Sequence, residues 1–286
     1  MSIDGYTRTC GLIGSPVEHT MSPAIHNTLA EAMGENLVYV PFHVQPGRVR
    51  EAVEGAYALN LLGCNVTVPY KSEVIPYLKE LDPLAEKIGA VNTLVRTEGG
   101  FRGYNTDMPG LLRALEADGV KTQGERVLIL GAGGVARAVA VMLAERAEEI
   151  ILLNRTVEKA GKIAEEVNTH VGKELARAMD TKDWRQLPED GRYLAIQATN
   201  VGMFPEVDKA VIEEAGFYER IHTGYDLIFN PAETRFMELT KKAGGRAYNG
   251  LKMLLYQGVI AYELWTGRQV TGELEERAYR AMRKGV

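Results

Sequence analysis

The chain has 286 residues, 45% of them hydrophobic and 25% charged, with a net charge of −5. This length suits two domains of ordinary size, and the composition excludes a disordered or fibrous chain. The modest charge gives no reason to expect nucleic acid or an anionic membrane as partner, and no run of about 18 apolar residues is present to span a bilayer.

In chain order, TRTCGLIG reads as a strand, followed by a turn at Ser15-Pro16 and a helix from about Ser22 to Met33. Ser22-Pro23 supplies a hydroxyl cap and then proline at the first helical position. LVYVPFHV is a second strand, and Pro41 suits an edge or bulge better than a central position. VREAVEGAYAL is helical, and LLGCNVTVPY contains a third, largely apolar strand. GAVNTLVRTEGGFRGYNTD reads as two short strands joined by a turn at Glu98-Gly99-Gly100. Strands separated by helices point to an α/β domain.

MPGLLRALEADGV is a helix ending at Gly119. ERVLILGAGGVARAVAVMLAERAEEIILLNR then gives strand, glycine turn, helix and strand within about thirty residues, a βαβ unit that begins a second domain. Further strands are expected around YLAIQAT and HTGYDLIF, with helices at VEKAGKIAEEV and ETRFMELTKKAG. GLKMLLYQGVIAYELWTG is a strong final helix before the tail, and it is expected to return to the first domain. The expected division is a substrate-binding and catalytic domain over 1–108, a Rossmann-type domain over 109–248, and a returning helical segment over 249–286. Cys10 and Cys64 form no CxxC pair, so a reducing compartment is expected, and MSIDGYTRT lacks the segments of a signal peptide; the cytoplasm is the default. The histidines, His19, His26, His43, His170 and His222, show no ligand-like cluster, so no metal site is expected.

Gly131-Ala132-Gly133-Gly134-Val135-Ala136 follows the strand Val127–Leu130 and opens a helix. Gly131 permits a tight turn, Gly133 lets the backbone approach a pyrophosphate, and Ala136 allows close helix–strand packing. Free amides at the helix start then face the negative charge. A site for NAD usually places Asp or Glu after the next strand, to accept from the ribose hydroxyls. This chain has Asn154-Arg155-Thr156, with Lys159 one turn later. An acid there would repel a ribose 2′-phosphate, whereas arginine can hold it through two hydrogen bonds, so NADP is favoured over NAD. The competing reading of Arg155 and Lys159 as a solvated helix start leaves the missing acid unexplained.

Three polar clusters sit in the first domain: the loop from Ser15 to Ser22, the segment from Asn65 to Lys71, and Asn92-Thr93 with Asn105-Thr106-Asp107. Uncharged hydroxyls and amides suit a polyhydroxylated ligand, whose groups must each be matched on desolvation. Taken singly, Ser22 also reads as a helix cap, Asn65 as a turn former and Lys71 as a surface lysine.

The stretches GSPVEHTMSPAIHN, GCNVTVPYK, GAVNT, GYNTDMPG, GAGGVARA, NRT and YDLIFNP occur in the order and approximate spacing of one family, and the chain resembles shikimate dehydrogenases along essentially its whole length. The resemblance implies reversible NADPH-dependent reduction of 3-dehydroshikimate to shikimate in aromatic amino acid (chorismate) biosynthesis. It also implies an N-terminal substrate domain and a Rossmann-type NADP domain, with a cleft between them. Lys71 corresponds to the catalytic lysine and Asp107 to its acidic partner. Asn65, Thr67, Asn92 and Asp107 would bind the ring hydroxyls, Thr20 and Ser22 the carboxylate, with Tyr225 near the carboxylate and Gln257 against the substrate. On the cofactor side it implies Thr199, Asn200, Val201, Gly202, Met203, Leu227 and Gly250, besides the glycine turn and Asn154, Arg155, Thr156 and Lys159.

The sequence departs from the family at Thr20, where serine is usual, and at Gln197 and Asn200 in QATNVGM. A quinate or dual quinate/shikimate dehydrogenase is therefore the nearest alternative, and a nonenzymatic NADP-binding sensor on the same fold is another. The intact Lys71–Asp107 pair counts against the sensor. A monomer or homodimer is expected.

Overall fold

The computed structural model describes residues 3–189 and 191–283. The chain forms two compact units, one comprising the residues up to Leu111 together with those from Leu254 onward, the other Leu112–Met253.

The first unit begins with β1 (Arg8–Gly14), α1 (Ser22–Ala32), β2 (Leu37–His43), α2 (Val49–Ala58) and β3 (Gly63–Val66). It continues through β4 (Glu80–Leu81), α3 (Pro83–Ile88), β5 (Thr93–Thr97), β6 (Gly100–Tyr104) and the start of α4 (Asp107–Ala117). The strands make one mixed sheet in the order β2-β1-β3-β5-β6-β4. β1 pairs in parallel with β2 and β3, and β5 runs antiparallel to both β3 and β6. Pro41 therefore lies on an edge strand, where its missing N–H breaks no central ladder. The antiparallel β5 has a functional consequence. It brings its own first residue, Thr93, beside Asn65 near the end of β3 and Tyr104 at the end of β6. Three segments rich in polar residues thus meet at one end of the inner strands of the sheet.

The first helix departs from expectation at its start. Met21 occupies the N-cap position without a side-chain hydrogen bond, and Ser22 is the first helical residue. Ser22 accepts instead from the Thr20 hydroxyl at 3.2 Å. The tail departs as well: after α9 (Leu251–Thr266) it forms another helix, α10 (Gly272–Arg283), which packs on α1. Its apolar face is narrow, with Ala278 and Met282 buried among charged neighbours, and this hides its signal in the sequence. The Trp265 indole N–H donates to the Leu94 carbonyl at 2.9 Å, fastening α9 to β5. His26 is wholly buried, stacked on Tyr39 with ring centroids 4.2 Å apart.

The second unit follows α4 with β7 (Arg126–Leu130), α5 (Gly134–Leu143), β8 (Glu149–Leu153), α6 (Val157–Val171) and β9 (Ala176–Met179). Then come β10 (Tyr193–Gln197), α7 (Ala215–Tyr218), β11 (Ile221–Asp226), α8 (Arg235–Lys242) and β12 (Arg246–Tyr248). All strands are parallel, in the order β12-β11-β10-β7-β8-β9. Counting from β7 as first, this is the 3-2-1-4-5-6 order of a Rossmann sheet, whose chain reversal lies between β7 and β10. Val127–Leu130 and Ile150–Leu153 are buried throughout, as parallel strands covered by helices on both faces must be. Short β9 and β12 were not foreseen, since three or four residues carry too little periodicity. No helix among the described residues is long and apolar enough to cross a membrane.

Candidate active site

In the first unit, the polar end of the inner strands holds a continuous hydrogen-bonded cluster. Lys71 follows β3 and Asp107 opens α4, and the Lys71 ammonium donates to Asp107 Oδ2 at 2.7 Å. The backbone holds each end in place. The Val91 N–H donates to the Lys71 carbonyl at 2.8 Å, and the buried Tyr70 hydroxyl donates to the Val44 carbonyl at 2.7 Å. At the other end, Asn105 Oδ1 accepts from the Met108 N–H at 3.3 Å. The pair is only partly covered, with side-chain exposures of 32% for Lys71 and 19% for Asp107. A pair both linked and reachable can still meet a ligand.

Asn92 organises the centre of the cluster. Its Nδ2 donates to Asp107 Oδ1 at 2.9 Å and to the Thr106 hydroxyl at 3.0 Å. Its Oδ1 accepts from the Thr106 N–H at 2.7 Å and the Thr93 hydroxyl at 3.1 Å. Asn65 lies next along: Nδ2 donates to Thr93 Oγ1 at 3.0 Å, and Oδ1 accepts from the Tyr39 hydroxyl at 2.8 Å. Thr93 and Thr106, which the sequence places in its third polar cluster without a role of their own, thus join the site, while Tyr39 is a member that no spacing announces. Thr67 is half-buried in the turn after β3, and its carbonyl accepts from the Tyr70 N–H. Thr20 and Ser22 pair through their hydroxyls, as above. Gln257 sits within α9, 8% exposed, with Nε2 donating to the Leu254 carbonyl at 2.8 Å.

Tyr225 requires a correction. It belongs to the second unit, on β11, where its side chain is completely buried and its ring stacks on Tyr248. Its hydroxyl lies 3.4 Å from Asp118 Oδ2. With no accessible surface, the side chain offers a substrate carboxylate no face in this structure.

The second unit carries a cavity of about 420 Å³ at the carboxyl ends of its central strands, beside the chain reversal. It is lined by Gly131, Ala132 and Gly133 after β7, by Asn154, Arg155, Thr156 and Lys159 after β8, and by Thr199, Asn200 and Val201 after β10. Thr181, Ala198 and Val211 also line it, although the sequence did not single them out. Gly134, Val135, Ala136, Gly202, Met203, Leu227 and Gly250 do not. Ala136 is fully buried, as the packing argument required, while Val135 and Met203 are exposed. Leu227 and Gly250 meet each other: a β-carbon on Gly250 would lie 2.2 Å from the Leu227 carbonyl oxygen, so only glycine fits.

The donor set fits an anionic dinucleotide. Gly131 has φ +117°, a conformation that side chains disfavour, and Gly133 and Gly134 have open space where a side chain would stand. The first amides of α5 are therefore uncovered for a pyrophosphate. Arg155 and Lys159 line the cavity and, among the described residues, no carboxylate does, which matches a ribose carrying a 2′-phosphate.

Beneath the cavity wall lies buried Asp226, whose carboxylate accepts from Thr234 Oγ1 at 2.6 Å, the Ile228 N–H at 3.0 Å and Gln197 Nε2 at 3.3 Å. Burial pushes its carboxyl up to about 6, against those hydrogen bonds.

Three family models match along the chain: the shikimate dehydrogenase substrate binding domain over residues 12–94, shikimate / quinate 5-dehydrogenase over 114–183, and the shikimate 5′-dehydrogenase C-terminal domain over 250–270. A relative from Methanopyrus kandleri named shikimate dehydrogenase (NADP(+)) is 43% identical over 281 residues, covering 97% of each chain. Among solved structures, a shikimate dehydrogenase in complex with NADP+ superposes with a TM-score of 0.89 at 40% identity, covering 99% of this chain and 97% of the other. The shikimate 5-dehydrogenase of Thermus thermophilus, in complex with NADP(H) and shikimate, gives a TM-score of 0.84 at 33% identity, covering 98% and 100%.

Proposed function

The chain belongs to the shikimate dehydrogenase family, and on that footing we propose that it catalyses the reversible NADPH-dependent reduction of 3-dehydroshikimate to shikimate. The observation that carries the reading is the 2.7 Å contact between the Lys71 ammonium and Asp107, in a cluster otherwise made of uncharged amides and hydroxyls. Such a cluster can match the hydroxyls of a polyhydroxylated ring while leaving one charged pair for proton work.

NADPH, when bound, supplies the hydride. The substrate residues we assign are Thr20 and Ser22 for the carboxylate, and Asn65, Thr67, Asn92 and Asp107 for the ring hydroxyls, with Gln257 beside them. Lys71 donates a hydrogen bond and then a proton to the carbonyl oxygen as it becomes a hydroxyl. Asp107, held by Asn92 from its other oxygen, keeps the ammonium aimed and balances its charge. In the reverse direction the neutral amine takes the proton back. Cofactor binding we assign to the glycine turn, to Asn154, Arg155, Thr156 and Lys159, and to Thr199, Asn200 and Val201. Residues 1–108 then form the substrate domain and 109–248 the cofactor domain, and 249–286 belong with the former. A soluble enzyme of the cytoplasm, monomeric or homodimeric, fits this reading.

The test is a steady-state comparison of shikimate and quinate oxidation, each with NADP and with NAD, alongside Lys71→Ala. We expect shikimate with NADP to be preferred, and kcat to fall about 10²- to 10⁴-fold in the variant. Preference for quinate would assign the protein to the other substrate and make Thr20 the first residue to exchange. NADP binding without turnover of either acid would sink the enzymatic reading.

A further inference from the structure

The loop after β10 forms one wall of the cofactor cavity, yet residues 198–203 belong to no helix or strand. Something else must fix its shape. Gln197, the last residue of β10, is 1% exposed and uses its whole amide on this task. Its Oε1 accepts from both the N–H and the hydroxyl of Thr199, each at 2.6 Å. Its Nε2 donates to the Val201 carbonyl at 3.2 Å and to Asp226 Oδ1 at 3.3 Å. An amide side chain has two acceptor sites and two donors, so all four are engaged.

The grip extends in both directions. Thr199 Oγ1 in turn accepts from the Val201 N–H at 3.1 Å, closing the loop on itself. Thr199 Cγ2 also packs over the glycine turn, 2.8 Å from where a β-carbon of Gly131 would stand. On the other side Asp226 is fixed by the Ile228 N–H and by Thr234, whose hydroxyl caps α8 by accepting from the Met237 N–H at 3.3 Å. A chain of hydrogen bonds thus runs from the start of α8 to the cavity wall, through two side chains too buried to touch a ligand.

We propose that Gln197 and Asp226 are a positioning pair that sets the Thr199–Val201 wall, so that affinity for the dinucleotide depends on their contact. The inference rests on the functional reading above only in taking NADP as the ligand. Length matters as well as polarity. Asparagine at 197 keeps the amide but is one methylene shorter, so on the present backbone it is expected to lose one of the two ends, Thr199 or Asp226. Methionine keeps the length but loses all four hydrogen bonds.

The experiment measures NADP affinity by titration and the KM values for NADP and shikimate, in full-length Gln197→Met, Gln197→Asn and Asp226→Asn. Val127→Ala, near the start of β7 and buried outside the cavity lining, serves as a stability control. We expect both Gln197 variants to bind NADP about tenfold more weakly, the size of coupling between neighbouring buried groups, with KM for shikimate unchanged. Asp226→Asn keeps one acceptor toward Gln197 and should fall between them and the parent. Gln197→Asn preserves the buried amide and keeps the test open if Gln197→Met fails to fold. Unchanged NADP affinity in Gln197→Asn would overturn the proposal, as would an equal loss in Val127→Ala at matched melting temperature. If the parent protein bound no NADP, the functional reading itself would fall and this inference with it.

Discussion

Asn92 donates to Asp107 Oδ1 at 2.9 Å, on the carboxylate oxygen that Lys71 does not use. The carboxylate is thereby held from both sides, and its orientation is fixed by a residue that is itself 2% exposed. Asn92→Ala removes this hold and strands the buried Thr106 N–H, which now donates to Asn92 Oδ1. An unsatisfied buried donor costs about 1–3 kcal/mol. We expect a melting temperature lower by several degrees and a kcat lower by about one to two orders of magnitude. Calorimetry and steady-state kinetics check the two parts separately. A stable variant with full activity would show that Lys71 alone orients Asp107.

Arg155 lines the cofactor cavity and no carboxylate among the described residues shares the lining. A guanidinium that holds a 2′-phosphate discriminates NADP from NAD, and losing it removes uniform binding rather than transition-state binding. Arg155→Ser should raise KM for NADP about 10- to 100-fold and leave kcat within about twofold, with NAD little affected. Parallel kinetics with both cofactors decide it. Equal losses for the two would place the arginine's contact elsewhere on the dinucleotide.

How much of this was legible in the residues follows from the range of each signal. The βαβ unit read clearly because strand, glycine turn and helix lie within about thirty residues, and the expected glycine turn, Arg155 and Lys159 all line one cavity. The Lys71–Asp107 contact spans 36 residues, and no local pattern announces it; family resemblance nominated the pair, and the antiparallel placement of β5 accounts for the meeting. Tyr39 and Thr181 were invisible for the same reason, since the fold and not local spacing brings Tyr39 to Asn65 and Thr181 to the cavity lining. Ser22 shows the opposite failure. A serine before proline reads as a cap, but the helix begins one residue earlier and its hydroxyl faces Thr20 instead. Gln197 looked like an unexplained departure, and its four hydrogen bonds depend on strand order, which sequence spacing does not report.

Tyr225 gives a prediction with the opposite sign to the sequence reading. Its side chain is completely buried on β11, with the hydroxyl 3.4 Å from Asp118, a long contact for an O–H donor. Tyr225→Phe keeps the ring and its stacking on Tyr248. We expect KM for shikimate and kcat to stay within about twofold, and stability to fall by no more than about 1 kcal/mol. A tenfold rise in KM for shikimate would restore the tyrosine to the substrate site.

Two buried titratable groups give the units opposite responses to acid. Burial pushes the His26 imidazole down to about 3, so the folded chain keeps it neutral while the unfolded chain takes up a proton below about 6.5. The unfolded state then binds more protons, and stability falls as pH falls through that range. For Asp226, raised to about 6, the folded state binds the proton first, so stability rises as pH falls from about 7 to 4. Between pH 7 and pH 5 these amount to about 2 kcal/mol lost through His26 and about 1 kcal/mol gained through Asp226. Each unit carries one tryptophan, Trp265 in the first and Trp184 in the second, so fluorescence separates their unfolding when the other tryptophan is replaced by phenylalanine. Relative to the parent, His26→Phe should remove about 2 kcal/mol of acid sensitivity from the Trp265 transition, whatever it does to stability at pH 7. Asp226→Asn should remove the acid-side gain from the Trp184 transition. Parallel pH dependence in parent and His26→Phe would mean that the imidazole is protonated in the folded protein, and its packing between Tyr39 and Trp265 would then have to open to water.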